Sequence, residues 1–306
     1  MKHTVQVDNV SKRYGQLEAV RGVSFALPPG ETVALVGHNG AGKTTLMKLM
    51  LGLIHPSRGS IQILGENPAA GEFAARRRLG YLPENVSFNA GLTGRELLSF
   101  YARLKGDSPE RALQLLDRVG LAAAASRRVG TYSKGMRQRL GLAQALIGEP
   151  ALLLLDEPTT GLDPALRQSF YEIVQELRDR GATVILSSHA LTELEERTDR
   201  VIIMNRGLMV ANGSLDALRR IARLPTRIRL RLTEGRPARM PDWLDHDGAW
   251  RPINGHVVEF DASPERKMEF LRQVMQGGPA LDDIEVVPPT LDELYAHFLR
   301  SQEDAR

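Results

Sequence analysis

No cysteine occurs among the 306 residues. That excludes a disulfide framework and any metal site built on thiolates. Aromatic residues make up 5% of the chain, too few for the core of a large β-sandwich. No apolar run approaches the roughly 20 residues that cross a bilayer; stretches such as "ALLLL" at 151–155 are far shorter. Charge of one sign is also missing as a tract. Lys and Arg total 40 against 37 Asp and Glu, a net charge of +3, and they do not gather into a basic run, so no nucleic-acid partner is expected. The opening "MKHTVQVDNVSKRYG" has no apolar centre of the kind a secretion signal needs. Any membrane role is therefore expected to come through a partner.

What is present alternates between two periodicities. "TVALVG" (32–37), "ALLLLDE" (151–157), "TVILSSH" (183–189) and "DRVIIMN" (199–205) are apolar before a polar end, as strands buried on both faces of a parallel sheet are. Amphipathic patterns over 42–53, 95–105, 109–119, 134–147 and 165–180 predict helices. The fold class expected is α/β with a mostly parallel sheet, and the nearly all-helical stretch 87–148 reads as an inserted subdomain. "MNRGLMVANGS" predicts a hairpin at Arg206-Gly207.

After Leu224-Pro225 the character changes. "TRIRLRL", "WRPINGHVVEF" and "DDIEVV" read as extended, and Ser263-Pro264-Glu265 is a helix-start signal. A β-α-β-β-α-β order is expected for 226–290, with a final helix in "TLDELYAHFL". The expected domains are 1–222 and a smaller α/β domain over 223–306.

"VGHNGAGKTT" joins a buried strand to a helix. Gly37-x-x-x-x-Gly42-Lys43-Thr44 in that setting is a phosphate-binding loop. Its glycines let successive backbone N–H groups point inward at a helix N-terminus, where anions are stabilised. Lys43 would then reach the β and γ phosphates of a nucleoside triphosphate, and the Thr44 hydroxyl would ligate Mg²⁺. Two carboxylates, Asp156 and Glu157, close the strand "LLLLDE". Asp156 suits an indirect or water-bridged hold on Mg²⁺, and Glu157 can orient and polarise an attacking water. His189 ends a neighbouring strand at the same sheet edge, within reach of a γ-phosphate by this reading.

These motifs, in this order, resemble the nucleotide-binding subunit of ATP-binding cassette (ABC) transporters across residues 1–220. The resemblance implies an ATP hydrolase. It assigns Tyr14 of "SKRYG" to adenine stacking and the loop Gly37, His38, Asn39, Gly40, Ala41, Gly42, Lys43, Thr44 and Thr45 to the phosphates. Asp156 becomes a magnesium partner, Glu157 the catalytic base and His189 the switch histidine. Asp163 ends "TTGLD" (159–163), the loop that contacts an opposite subunit. Two motifs depart from the family form. Its signature, commonly Leu-Ser-Gly-Gly-Gln, reads "YSKGM" here: Ser133 and Gly135 remain to face a γ-phosphate, and Lys134 adds a positive charge. In "GYLPEN" a glutamate, Glu84, stands where glutamine is usual, still able to coordinate Mg²⁺.

The same resemblance implies a homodimer that sandwiches two ATPs head to tail, each signature serving the partner's nucleotide. It also implies an integral-membrane permease, through it a periplasmic partner, and a peripheral location on the cytoplasmic face of the inner membrane. Within the family, "GHNGAGKTT", "GYLPENVSF", "TYSKGMRQRLGLAQAL" and "PTTGLDPALRQSFYEI" are similar to the branch serving copper-site maturation of nitrous oxide reductase. The alternatives are an ATPase for a generic drug or polysaccharide exporter and a soluble non-transport member. No copper site is evident in the chain; its nine methionines read as core filler.

Overall fold

The computed structural model describes residues 3–70, 73–188, 190–233, 251–277 and 280–304. The chain divides into two compact units, Met1–Asn212 and Gly213–Arg306.

The first unit opens with two long strands, β1 (Val5–Tyr14) and β2 (Leu17–Leu27), followed by β3 (Thr32–Val36), the helix α1 (Lys43–Met50) and β4 (Arg58–Ile63). Strands β2, β1 and β4 form a three-stranded antiparallel sheet. The predicted first helix ran to residue 53, but α1 stops at Met50. Leu53 N–H bonds the carbonyl of Lys48 and Gly52 N–H that of Leu49, and Gly52 sits at φ 67; this double bond pattern around a left-handed glycine closes a helix.

Next come α2 (Phe73–Arg77) and β5 (Leu79–Leu82), then the helical insertion: α3 (Gly94–Lys105), α4 (Pro109–Arg118) and α5 (Lys134–Leu146). Each of these three starts on a side-chain cap. Thr93 and Glu96 form a reciprocal capping box before α3, Ser108 caps α4 ahead of Pro109, and Ser133 caps α5. Those caps satisfy N–H groups that the first turn leaves unpaired.

The chain returns to the sheet with β6 (Leu152–Leu155), crosses through α6 (Pro164–Asp179), and continues with β7 (Thr183–Ser187), the short α7 (Leu191–Leu194), β8 (Arg200–Asn205) and β9 (Leu208–Gly213). The six-stranded sheet runs β5-β6-β7-β3-β8-β9. Pairing is parallel from β5 through β8, and β3, β6 and β7 are buried at every position. The predicted hairpin joins β8 to β9 through Arg206 (φ 49) and Gly207 (φ 83), the two positive φ angles a tight hairpin needs. The fold is therefore α/β, a mostly parallel sheet with an inserted helical segment, as expected.

The second unit holds α8 (Leu215–Ala222), β10 (Thr226–Leu232), β11 (Arg251–Pro252), β12 (Val257–Ala262), α9 (Lys267–Gly277), β13 (Leu281–Val287) and α10 (Leu291–Asp304). The division at Asn212 precedes the expected boundary at 222, so α8 belongs with this unit. Its sheet is antiparallel, in the order β11-β12-β10-β13. The β12–α9–β13 crossover skips over β10, a split βαβ arrangement. The first helix of the order expected for 226–290 would fall in 234–250, outside the described residues. Ile228, Leu230, Leu232, Val258, Phe260, Ala262 and Val274 make this unit's own core.

Candidate active site

Strand β3 delivers the chain to a loop that only small residues can fill. A Cβ at Gly37 would stand 2.6 Å from the carbonyl of Met204 in β8, and one at Gly42 would stand 2.5 Å from that of Ala19 in β2. Gly42 also holds φ 105 as the residue that starts α1. The loop is thus pressed between β8 and β2 at the head of α1.

Lys43, 7% exposed, folds its ammonium back over this loop. Nζ donates to the Gly37 carbonyl and to that of His38 at 3.3 Å, which occupies two of its three N–H bonds. Burial lowers its pKa, against the opposing pull of Glu157, Asp156 and Glu84. His38 is held by Asn205 Oδ1 at 2.8 Å.

The loop opens into a cavity of about 610 Å³ lined by Tyr14, His38, Asn39, Gly40, Ala41, Gly42, Lys43, Thr44, Thr45 and Glu84 among others. Nine of the residues expected to hold nucleotide, and Glu84, expected to coordinate Mg²⁺, therefore share one wall. Tyr14 is 45% exposed, a ring face available at the cavity rim, with the Lys12 ammonium 5.1 Å from its centroid. Residues not foreseen also line it: Leu17, Glu18, Ala19, Arg21 and Arg206. Gly37 lies behind the wall and contributes its carbonyl to Lys43.

Beneath the cradle, the ends of β6 and β7 meet. The Thr44 hydroxyl donates to Asp156 Oδ2 at 2.8 Å. Ser187 Oγ donates to Asp156 Oδ1 at 2.7 Å and accepts the Glu157 N–H at 2.9 Å. One serine thereby holds the Asp156 carboxylate and the Glu157 backbone. Ser187 belongs to no motif; its only signal is its place in "SSH" one strand over. Asp156 and Glu157 are 3% and 5% exposed, and Asp156, after burial, helps push Tyr81 up to about 12. Glu157 adopts φ 51, a left-handed backbone uncommon for a residue with a side chain.

The Thr44 hydroxyl and Asp156 carboxylate form an adjacent pair of hard oxygen donors. That set fits Mg²⁺, which takes one or two protein oxygens and fills its remaining positions with water and phosphate.

Three expected residues stand away from the cavity wall. Ser133 accepts the Met136 N–H as the cap of α5; Asp163 accepts the Leu166 N–H as the cap of α6. A Cβ at Gly135 would be 3.4 Å from the carbonyl of Gly161, so the 133–136 turn and the 159–163 loop are neighbours in the same chain. His189 lies outside the described residues.

A family model described as ABC transporter matches residues 20–160. Daunorubicin resistance ATP-binding protein DrrA3 of Streptomyces coeruleorubidus is 34% identical, covering 96% of this chain and 95% of its own. Nod factor export ATP-binding protein I of Burkholderia orbicola is 42% identical over 69% of this chain and 70% of its own. A solved ATP-binding subunit of an ABC transporter superposes with a TM-score of 0.68 at 36% identity, covering 71% of this chain and 92% of that one. On these matches the chain belongs to the ATP-binding subunits of ABC transporters and is an ATP hydrolase.

Proposed function

We propose that the chain powers export through a membrane permease, by ATP-driven closure and hydrolysis-driven opening of a homodimer. The observation that carries export is the match to DrrA3. Leaving 4% of the chain uncovered, it must run through Gly213–Arg306 as well as the catalytic unit. The Nod factor export relative agrees in direction.

In this reading ATP lies in the cavity with adenine on Tyr14 and its phosphates over the 37–45 loop. Lys43 turns its ammonium from the Gly37 and His38 carbonyls to the β and γ phosphates. Thr44, Asp156 and Glu84 hold Mg²⁺, which neutralises phosphate charge when bound. Glu157, fixed through its backbone by Ser187, draws a proton from the attacking water, and His189 contacts the γ-phosphate. Ser133 and Gly135, away from the chain's own cavity, meet the partner's ATP, and Asp163 lies at the same twofold interface. Among the described residues no helix is long and apolar enough to cross a membrane; the proposed location is peripheral, on the cytoplasmic face of the inner membrane, with the permease linking to a periplasmic partner.

The test is coupling. ATPase activity of the chain should rise when it is co-purified with its membrane subunit, and equal rates with and without that subunit would remove the transport reading. A narrower reading, NosF-type service to copper-site maturation of nitrous oxide reductase, is supported by the four motif stretches alone. Deleting the gene separates the two cargo classes: heightened sensitivity to amphipathic drugs favours export of the DrrA3 kind, and loss of nitrous oxide reduction favours the copper reading.

A further inference from the structure

The turn after Glu157 is tied to α7 through one side chain. Thr160 N–H reaches the Glu157 carbonyl at 3.3 Å and Leu162 N–H that of Thr159 at 3.1 Å, so 157–162 is a closed turn. The Leu162 carbonyl accepts Nη2 of Arg167, in the first turn of α6, at 3.3 Å. The other arm of the same guanidinium, Nη1, meets Glu193 Oε1 in α7. Glu193 is held from a second side by the Tyr171 hydroxyl at 3.4 Å. Burial and then Glu193 push that phenol up to about 12, so it remains a donor at neutral pH. Arg197 lies over the Tyr171 ring at 4.3 Å and bonds Gln168 at 3.1 Å, fastening the far end of the α7 segment to α6.

A planar guanidinium can hold two acceptors at a fixed angle, which a lysine cannot. Arg167 also keeps its Nε buried without an acceptor among the described residues. Arg167 is not among the residues lining the nucleotide cavity, so any effect on hydrolysis passes through the turn it holds.

We infer that Arg167 is a positioning residue, clamping the 157–162 turn to α7 so that Glu157 keeps one geometry. This rests on the reading of Glu157 as the base.

Full-length chains carrying Arg167→Leu, Arg167→Lys, Glu193→Gln, and Arg167→Leu with Glu193→Gln are compared in single-turnover hydrolysis with ATP and Mg²⁺, alongside ATP affinity and Tm. Arg167→Leu should slow hydrolysis by up to about 10²-fold, the scale of a small misplacement at a reacting centre, with ATP affinity unchanged. Arg167→Lys should fall between parent and Arg167→Leu. The double variant should be no slower than Arg167→Leu, because both changes open the same clamp. A parent rate in Arg167→Leu overturns the inference, as does a double variant whose loss is the product of the single losses. If Arg167→Leu fails to fold, Glu193→Gln, which removes only the charge, decides by the same rate criterion. The underlying reading fails separately: Glu157→Gln at the parent rate removes the base, whereas a slow Glu157→Gln beside a parent-rate Arg167→Leu removes the clamp alone.

Discussion

The central strands of the six-stranded sheet of the first unit are buried on both faces, while the four-stranded sheet of the second is apolar on one face and charged on the other. In β3, β6 and β7 every position is buried. Polar chemistry has nowhere to stand along such strands and appears where they end, at Asp156, Glu157 and Ser187. In β10 the residues alternate: Ile228, Leu230 and Leu232 turn to the core, and Arg227 and Arg229 turn outward to carboxylates. Arg229 bonds Glu259 at 2.8 Å and Glu285 at 3.2 Å, and Arg227 meets Glu293 at 3.0 Å. Parallel pairing concentrates functional groups at one edge; antiparallel pairing spreads them over a face.

The comparison is sharpened most by removing the cation at the concentrated end. Lys43→Ala leaves the phosphates without their ammonium, so both ATP affinity and turnover should collapse to background in equilibrium binding and phosphate-release assays. Glu157→Gln should lower hydrolysis by roughly 10²–10⁴-fold, the scale of a lost general base, yet retain ATP. Size-exclusion chromatography with ATP and Mg²⁺ should then show a persistent dimer for this variant and none for Lys43→Ala. A parent rate would shift the base assignment to His189.

In the spread-out sheet the expected effects fall on stability. Leu230→Ala empties a fully buried position and should cost about 2–5 kcal/mol, seen as a lower denaturant midpoint for the second unit. ATP affinity should be untouched; a matching fall would break the contrast between the units.

Lys105 gives a smaller, pH-dependent effect. Its ammonium donates to the carbonyls of Leu79 and Ile147, both at 2.8 Å, and burial lowers its pKa to about 8. A folded pKa below the unfolded one means that the unfolded chain binds more protons between those values, so stability rises with pH there. Relative to Lys105→Met, the parent should gain up to roughly 3 kcal/mol between pH 7 and 10.5, in paired unfolding curves. No relative gain would show that the ammonium is better solvated than its burial implies.

The smallest expected effect is none at all. A chain ending at residue 222 should bind ATP as the full chain does, and loss of binding by a folded truncation would sink the proposed independence of the second domain.

How far the sequence could be read follows the same division. The 37–44 loop was legible because its backbone demands glycines at Gly37 and Gly42. The amphipathic pattern placed the start of α4 at Pro109 and that of α3 within one residue of Gly94. Ser187, Ala19 and Arg206 were not, since ordinary residue types become part of the site only through contacts distant in sequence. The antiparallel sheet of β1, β2 and β4 also went unforeseen. Strand β1 turns left-handed at Asn9, φ 46, and shifts register three times against β2, which destroys the alternation that marks a strand.

Glu157 stands on a backbone that glycine or asparagine would occupy with less strain than glutamate. Its replacement by either should therefore raise Tm while it removes hydrolysis. If Glu157 is the base proposed above, a lineage released from the need to turn over ATP would drift away from it with a gain in stability.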